Sequence, residues 1–149
     1  MLQKRRCDRP LCAAFLSGLF LCGTSAAATA DTAETMALKL HDTGKREYYC
    51  TATFKLSAGK DPAYQDVNGY FYVFVGDEQV GRSKGASFRF NGGETTASAT
   101  FETPNAPCTD VDGYVFVIGA CMQNNAFVDQ SACAASIAPS GPVRQIRAR

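Results

Sequence analysis

The chain has 149 residues, 19% of them charged, with 15 Lys and Arg against 14 Asp and Glu. That near-balance argues against a protein organised around phosphate-backbone binding, which needs a concentrated basic surface. Trp is absent and seven Cys are present, so cysteine usage says more about compartment than charge does.

Residues 1–30 read as a cleaved secretory signal. Lys4, Arg5, Arg6 and Arg9 precede an apolar run from Leu11 to Cys22, and Ala28-Thr29-Ala30 forms an A-x-A-like cleavage site before Asp31. Gly23, Thr24 and Ser25 break the run short of the roughly 20 apolar residues a membrane span needs. Arg5-Arg6 resembles a twin-arginine signal, but Cys7-Asp8 follows where apolar residues belong. Cys22 resembles a lipoprotein acceptor, but Leu21 before it is too bulky for that processing site.

The expected mature chain is 119 residues, one domain's worth and enough to bury a core. Four basic residues and Asp8 leave with the signal, so 11 Lys and Arg remain against 13 Asp and Glu, a net charge of −2. Cys7, Cys12 and Cys22 leave too, and Cys50, Cys108, Cys121 and Cys133 remain. An even number in a small exported domain predicts two disulfides. The spacings of 58, 13 and 12 residues contain no C-x-x-C pair, which argues against a zinc site.

In chain order, residues 31–46 are expected to be a lead-in segment, in which Asp31 to Leu40 shows little β character and could make a short helix or a frayed strand. Glu47 to Leu56 alternates, with Tyr48, Cys50, Ala52, Phe54 and Leu56 on one face, as a half-buried strand does. Ala58 to Pro62 breaks it. Tyr70 to Val75 is apolar on both faces and predicts a central strand; Gly76-Asp77-Glu78 reads as a turn, and Gln79 to Arg82 as a short edge piece. Ser87 to Phe90 turns Phe88 and Phe90 inward, and Asn91-Gly92-Gly93 signals a hairpin, because Asn and Gly reach positive φ at low cost. Thr95 to Thr103 and Tyr114 to Cys121 are further strands, and Asn124-Asn125 is a second tight turn. Residues 138–149, with Pro139, Pro142, Arg144, Arg147 and Arg149, read as a solvated tail.

Two stretches nearly repeat. Ala52-Thr-Phe-Lys55 mirrors Ala99-Thr-Phe-Glu102, and Asp66-Val-Asn-Gly-Tyr70 mirrors Asp110-Val-Asp-Gly-Tyr114. The predicted fold is therefore all-β: a small disulfide-stapled antiparallel β-sandwich of immunoglobulin-like architecture, built from a duplicated strand-loop-strand unit and occupying residues 47–137. If the repeats run alike, Cys50 starts its strand where Cys121 ends its own. A strand continuing past Asn124-Asn125 carries Cys133 back towards Cys108. That geometry favours Cys50–Cys121 and Cys108–Cys133 over Cys50–Cys108 and Cys121–Cys133.

Catalytic signals are weak. His41, beside Asp42, is the one histidine and falls in the lead-in, where a surface role is expected. The Asp-Val-Asx-Gly segments resemble fragments of calcium loops, but the EF-hand's fifth, sixth and twelfth positions hold Tyr114, Val115 and Cys121, or Tyr70, Phe71 and Asp77. They are read as turns whose glycines take positive φ, with no metal and no cofactor. Glu47, Glu78, Glu94 and Glu102 could serve a glycoside hydrolase, yet nothing in the sequence brings two into one cleft. Tyr70 and Tyr72 share a face, which reads as core. The loop Ser57 to Gln65 is longer than its counterpart, and Lys60, Asp61 and Tyr64 form the candidate protein-contact loop.

The expected function is an exported, non-catalytic protein-binding module in the bacterial periplasm or outside the cell, with an inhibitor or toxin-neutralising protein as its sharper form. The alternative is a structural or adhesive surface subunit, and the third choice a small secreted hydrolase. The expected partner is another protein, with no nucleic acid, no transmembrane helix in the mature chain, and a monomer or weak oligomer.

Overall fold

The two Ala-Thr-Phe segments lie side by side. In the computed structural model, which describes residues 35–46, 49–103 and 107–149, strand β2 (Tyr49–Ser57) pairs antiparallel with β6 (Thr96–Thr103) over eight consecutive positions. Thr53 faces Thr100, Ala52 faces Phe101 and Phe54 faces Ala99, so a local two-fold relates the copies. The second element of each copy behaves alike: β3 (Asp66–Val75) pairs antiparallel with β7 (Gly113–Gln123).

The first elements sit in a four-stranded sheet and the second in a six-stranded one. β1 (Met36–Arg46) completes the first sheet on the far side of β2, and β9 (Ile137–Ser140) lies parallel beyond it. The larger sheet adds β4 (Glu78–Arg82) and β5 (Ala86–Arg89) on β3, and β8 (Ala126–Val128) and β10 (Val143–Ala148) on β7. Between β8 and β9 lies one short helix, α1 (Gln130–Ala135), capped by the Asp129 carboxylate accepting from the Ala132 N–H at 2.8 Å. The fold is the expected all-β, two-sheet, disulfide-stapled sandwich.

Its core is aromatic. Phe54 stacks on Phe71 across the sheets, with ring centroids 4.3 Å apart; Phe101 meets Phe71 at 4.8 Å and Phe116 meets it at 4.7 Å. Tyr114 stands edge-on to Phe54 at 4.9 Å. Each such pair contributes about 1 kcal/mol beyond its area burial. The repeated Phe of Ala-Thr-Phe thus supplies the four-stranded sheet's aromatic share of the core, beside Met36, Leu38 and Leu56.

Several expectations are corrected. The lead-in is a strand from Met36 onward: Met36 and Leu38 alternate with Ala37 and are fully buried, and β1 sits inside its sheet. The tail is also structured. β9 and β10 add the two parallel ladders of an otherwise antiparallel fold, turning at Gly141 (φ 64°), with Val143 buried. Pro139 is tolerated because β9 is an edge strand, where a missing N–H need not break a ladder. Asn91 to Gly93 forms a turn, with Glu94 N–H bonding to the Asn91 carbonyl, but it leads from β5 in one sheet to β6 in the other and so is an arch between sheets. Asn124 and Asn125, at φ 51° and 60°, do close the expected two-residue hairpin.

The disulfides are Cys50–Cys108 and Cys121–Cys133, the reverse of the favoured pairing. The copies run antiparallel, so β6 ends at Thr103 opposite Cys50, and the following loop brings Cys108 back to the start of β2. Past Val128, which faces Cys121, the chain turns into α1. A helix rises about 1.5 Å per residue, which holds Cys133 near Cys121; five residues of strand would have carried it roughly 16 Å away.

The secretory signal falls outside the described residues. No helix among those described is long and apolar enough to cross a membrane, and two disulfides are compatible with an exported protein.

Candidate functional site

Of the expected contact loop, Tyr64 is turned inward and packs in the core at 8% exposure. This removes it as a surface anchor. Lys60 and Asp61 stay exposed. Asp61 lies on the rim of a cavity of about 510 Å³ that also borders Gln65, Asp66, Arg89, Asn91 and Asn125. Within that rim, the Arg89 Nε and Nη2 both donate to Asp66 Oδ2 (3.2 and 3.0 Å), and Ser87 Oγ donates to Oδ1 at 3.2 Å.

The Asp-Val-Asx-Gly segments are not positive-φ turns. Asp66 to Gly69 lies within β3, and Gly113 opens β7. Close approach requires glycine at Gly69, where a Cβ would strike the Val117 carbonyl and the Phe116 ring, while a Cβ on Gly113 would meet only the movable Arg144 guanidinium. Their carboxylates are engaged by protein groups. Asp66 holds Arg89; Asp112 accepts from the Gly76 N–H at 3.2 Å and from Arg144 Nη2 at 2.7 Å. Among the described residues no three His, Cys, Asp or Glu side chains converge as a metal site would require. His41 is exposed at the β-bulge of β1.

The surface that stands out is the outer face of the six-stranded sheet. β3 alternates, so Phe71 and Val73 enter the core while Tyr70, Tyr72 and Phe74 point away from it, only half-covered. Tyr70 and Tyr72 meet edge to face with centroids 5.4 Å apart. The Arg82 guanidinium lies 4.9 Å from the Tyr70 ring centroid, and that of Arg144 lies 5.2 Å from Phe74. Register builds the rest of the patch. Tyr72 is flanked by Arg82 on β4 and Val115 on β7, and Val115 by Gln145 on β10; Tyr70 pairs with Val117, and Val117 with Arg147. Val115 and Val117 face outward yet are 5% exposed each, so this face is apolar at its centre. It continues through Met122 to Phe127, which is 76% exposed.

The hydrogen bond with Tyr72 raises the Tyr70 phenol above its ordinary range, while Arg82 and Arg149 pull it down. The Arg82 guanidinium lies over that ring, and Arg149 follows β10 with its N–H donating to the Ile118 carbonyl at 3.2 Å. The arrangement has no nucleophile paired to a base. What it offers is rigid aromatic area bordered by guanidiniums, the residue types enriched at protein interfaces. The sequence placed Tyr70 and Tyr72 on one face and read that face as core; the structure turns it outward and buries Phe71 and Val73 instead. The signal that decides is the neighbouring Phe71–Val73 pair, which completes the Phe54–Phe101 cluster.

No protein-family description matches the chain, and no curated protein matches it. Among solved structures, IrmA from Escherichia coli is similar: a TM-score of 0.57 at 13% identity, over 72% of this chain and 92% of that one. At that identity the likeness concerns the fold alone.

Proposed function

We propose that the protein is an exported, non-catalytic binding module that recognises another protein in the periplasm or outside the cell. The observation that carries this reading is the Tyr70–Tyr72–Phe74 stripe with Arg82 over the Tyr70 ring. Tyr and Arg anchors of this kind dominate interface energetics because they bury large areas with little loss of side-chain entropy. They sit on a sheet backed by an aromatic core, so the surface is held in place before any partner arrives. An inhibitor or toxin-neutralising protein, acting by steric masking, is the sharper form of the same reading.

The test is capture with the oxidised protein as bait, against envelope extract and culture supernatant of the source organism, beside a Tyr70→Ala/Tyr72→Ala variant. The expected result is one protein held near equal stoichiometry by the parent chain and lost by the variant. Equal retention by both would move the contact elsewhere.

A second reading, a structural or adhesive subunit, is favoured by β6. It is an eight-residue edge strand, Thr96–Thr103, without Lys, Pro or Gly to block strand addition. Concentration-dependent assembly of the purified chain in sedimentation velocity would favour that reading; a monomer at every concentration would discard it.

A further inference from the structure

The charges on the outer face of the six-stranded sheet are distributed unevenly. The chain's formal net charge is only +1, yet Arg82, Arg144 and Arg147 border the Tyr70–Tyr72–Phe74 stripe, and Arg149 follows Arg147 by two residues along the same edge, its N–H donating to the Ile118 carbonyl. The carboxylates nearest are already taken, Asp112 by Arg144 and Asp66 by Arg89. Arg82, Arg147 and Arg149 have no carboxylate partner among the described residues; Arg147 Nε donates only to the amide oxygen of Gln145. The strand order β10-β7-β3-β4 puts Arg147 and Arg82 at opposite sides of the patch. Three inter-strand steps separate those edges, roughly 14 Å. Between them lie Val115, Val117 and the two tyrosines.

Covering such a patch with an uncharged partner would strip water from guanidiniums and leave their charge uncompensated, which is costly. A partner with carboxylates opposite them avoids that cost through charge-assisted, bidentate hydrogen bonds. A nucleic-acid strand fits less well. It needs cations along one continuous track, whereas here they stand on two sides of an apolar strip.

We infer that the outer face of the six-stranded sheet docks an acidic protein segment, whose apolar centre covers Tyr70 and Tyr72 while its carboxylates reach Arg82 on one side and Arg147 and Arg149 on the other. This rests on the protein-binding reading above and adds the chemistry of the partner.

The test is selection from a displayed library of random peptides by the oxidised full chain, with an Arg82→Glu/Arg147→Glu variant in parallel. Both arginines are exposed, so the variant is expected to fold, which its circular dichroism and unchanged non-reduced mobility would verify. Parent-selected peptides should carry Asp or Glu on either side of an apolar centre. Their affinity should fall about tenfold or more on the double charge reversal and several-fold between about 50 and 300 mM NaCl. The reversed variant should instead select Lys- and Arg-bearing peptides. Peptides that bind through Tyr70 and Tyr72 but ignore the charge reversal would overturn the acidic assignment and leave the protein-binding reading standing. Tighter, Tyr-dependent binding of a single-stranded oligonucleotide would overturn both, as would failure of the parent chain to select any peptide while the capture experiment also returns nothing.

Discussion

Thr53 Oγ1 and Thr100 Oγ1 lie 2.9 Å apart across the β2–β6 ladder, at the centre of the local two-fold that relates the two Ala-Thr-Phe segments. On either side of this contact, Ala52 faces Phe101 and Phe54 faces Ala99, small against large, which lets both rings reach the core without colliding. The hydroxyl pair is exposed and therefore marks the symmetry more than it stabilises it. A double-mutant cycle of Thr53→Ala and Thr100→Ala in urea should return a coupling below about 1 kcal/mol. A coupling well above that would mean the pair is shielded from water.

The disulfides differ in the length of chain they close. Cys50–Cys108 spans 58 residues and Cys121–Cys133 spans 12. Loop-closure entropy assigns about 4 kcal/mol to the first and about 3 kcal/mol to the second. Cys50→Ser/Cys108→Ser should therefore lower the urea midpoint more than Cys121→Ser/Cys133→Ser does. A non-reduced peptide map should return these two pairs; Cys50 linked to Cys121 would contradict the antiparallel arrangement of the copies.

Gly69 and Gly113 should respond differently to alanine. At Gly69 the added methyl meets backbone and a packed ring, neither of which can yield, so Gly69→Ala is expected to cost about 3 kcal/mol or prevent folding. At Gly113 it meets the end of a flexible arginine. Gly113→Ala should displace Arg144 from Asp112 and the Gly76 carbonyl at a cost of about 1 kcal/mol. Chemical denaturation of the two variants checks the order; equal losses would contradict it.

Burial pushes the Tyr114 phenol up to about 12. An unfolded tyrosine ionises near 10, so between these values the unfolded chain has released a proton that the folded chain still holds. Stability from this group is thus complete below about pH 10 and is lost as pH rises through about 12, a fall on the order of 2 kcal/mol. Phenolate absorbance should show a tyrosine titrating near 12, and Tyr114→Phe should remove that step. A stability curve that stays flat over that range in the parent chain would count against burial as the cause.

Tyr70 and Tyr114 show where legibility in the sequence stopped. They hold the same place in Asp-Val-Asx-Gly-Tyr, yet Tyr114 is in the core at 1% exposure and Tyr70 faces outward beside Arg82. In the β3–β7 ladder Phe71 faces Phe116, one residue out of step with the sequence repeat. Because side chains alternate along a strand, that one-residue slip exchanges core and surface.

Local chemistry by itself determined the central strands between Tyr49 and Gln123, the Asn124-Asn125 hairpin, the shared face of Cys50, Ala52, Phe54 and Leu56, and the two-disulfide count. Period-two alternation and positive-φ turn residues act over a few neighbours, so a short window carries them. Tertiary structure alone decided the antiparallel relation of the copies, and with it the cysteine partners. It also decided the burial of Tyr64, the recruitment of residues 36–46 and 137–148 as strands, and the face on which Tyr70 and Tyr72 emerge. Each of these depends on which distant strand supplies the neighbour: Phe71 takes the core because Phe54 and Phe101 wait on the opposite sheet, and that leaves the tyrosines to water.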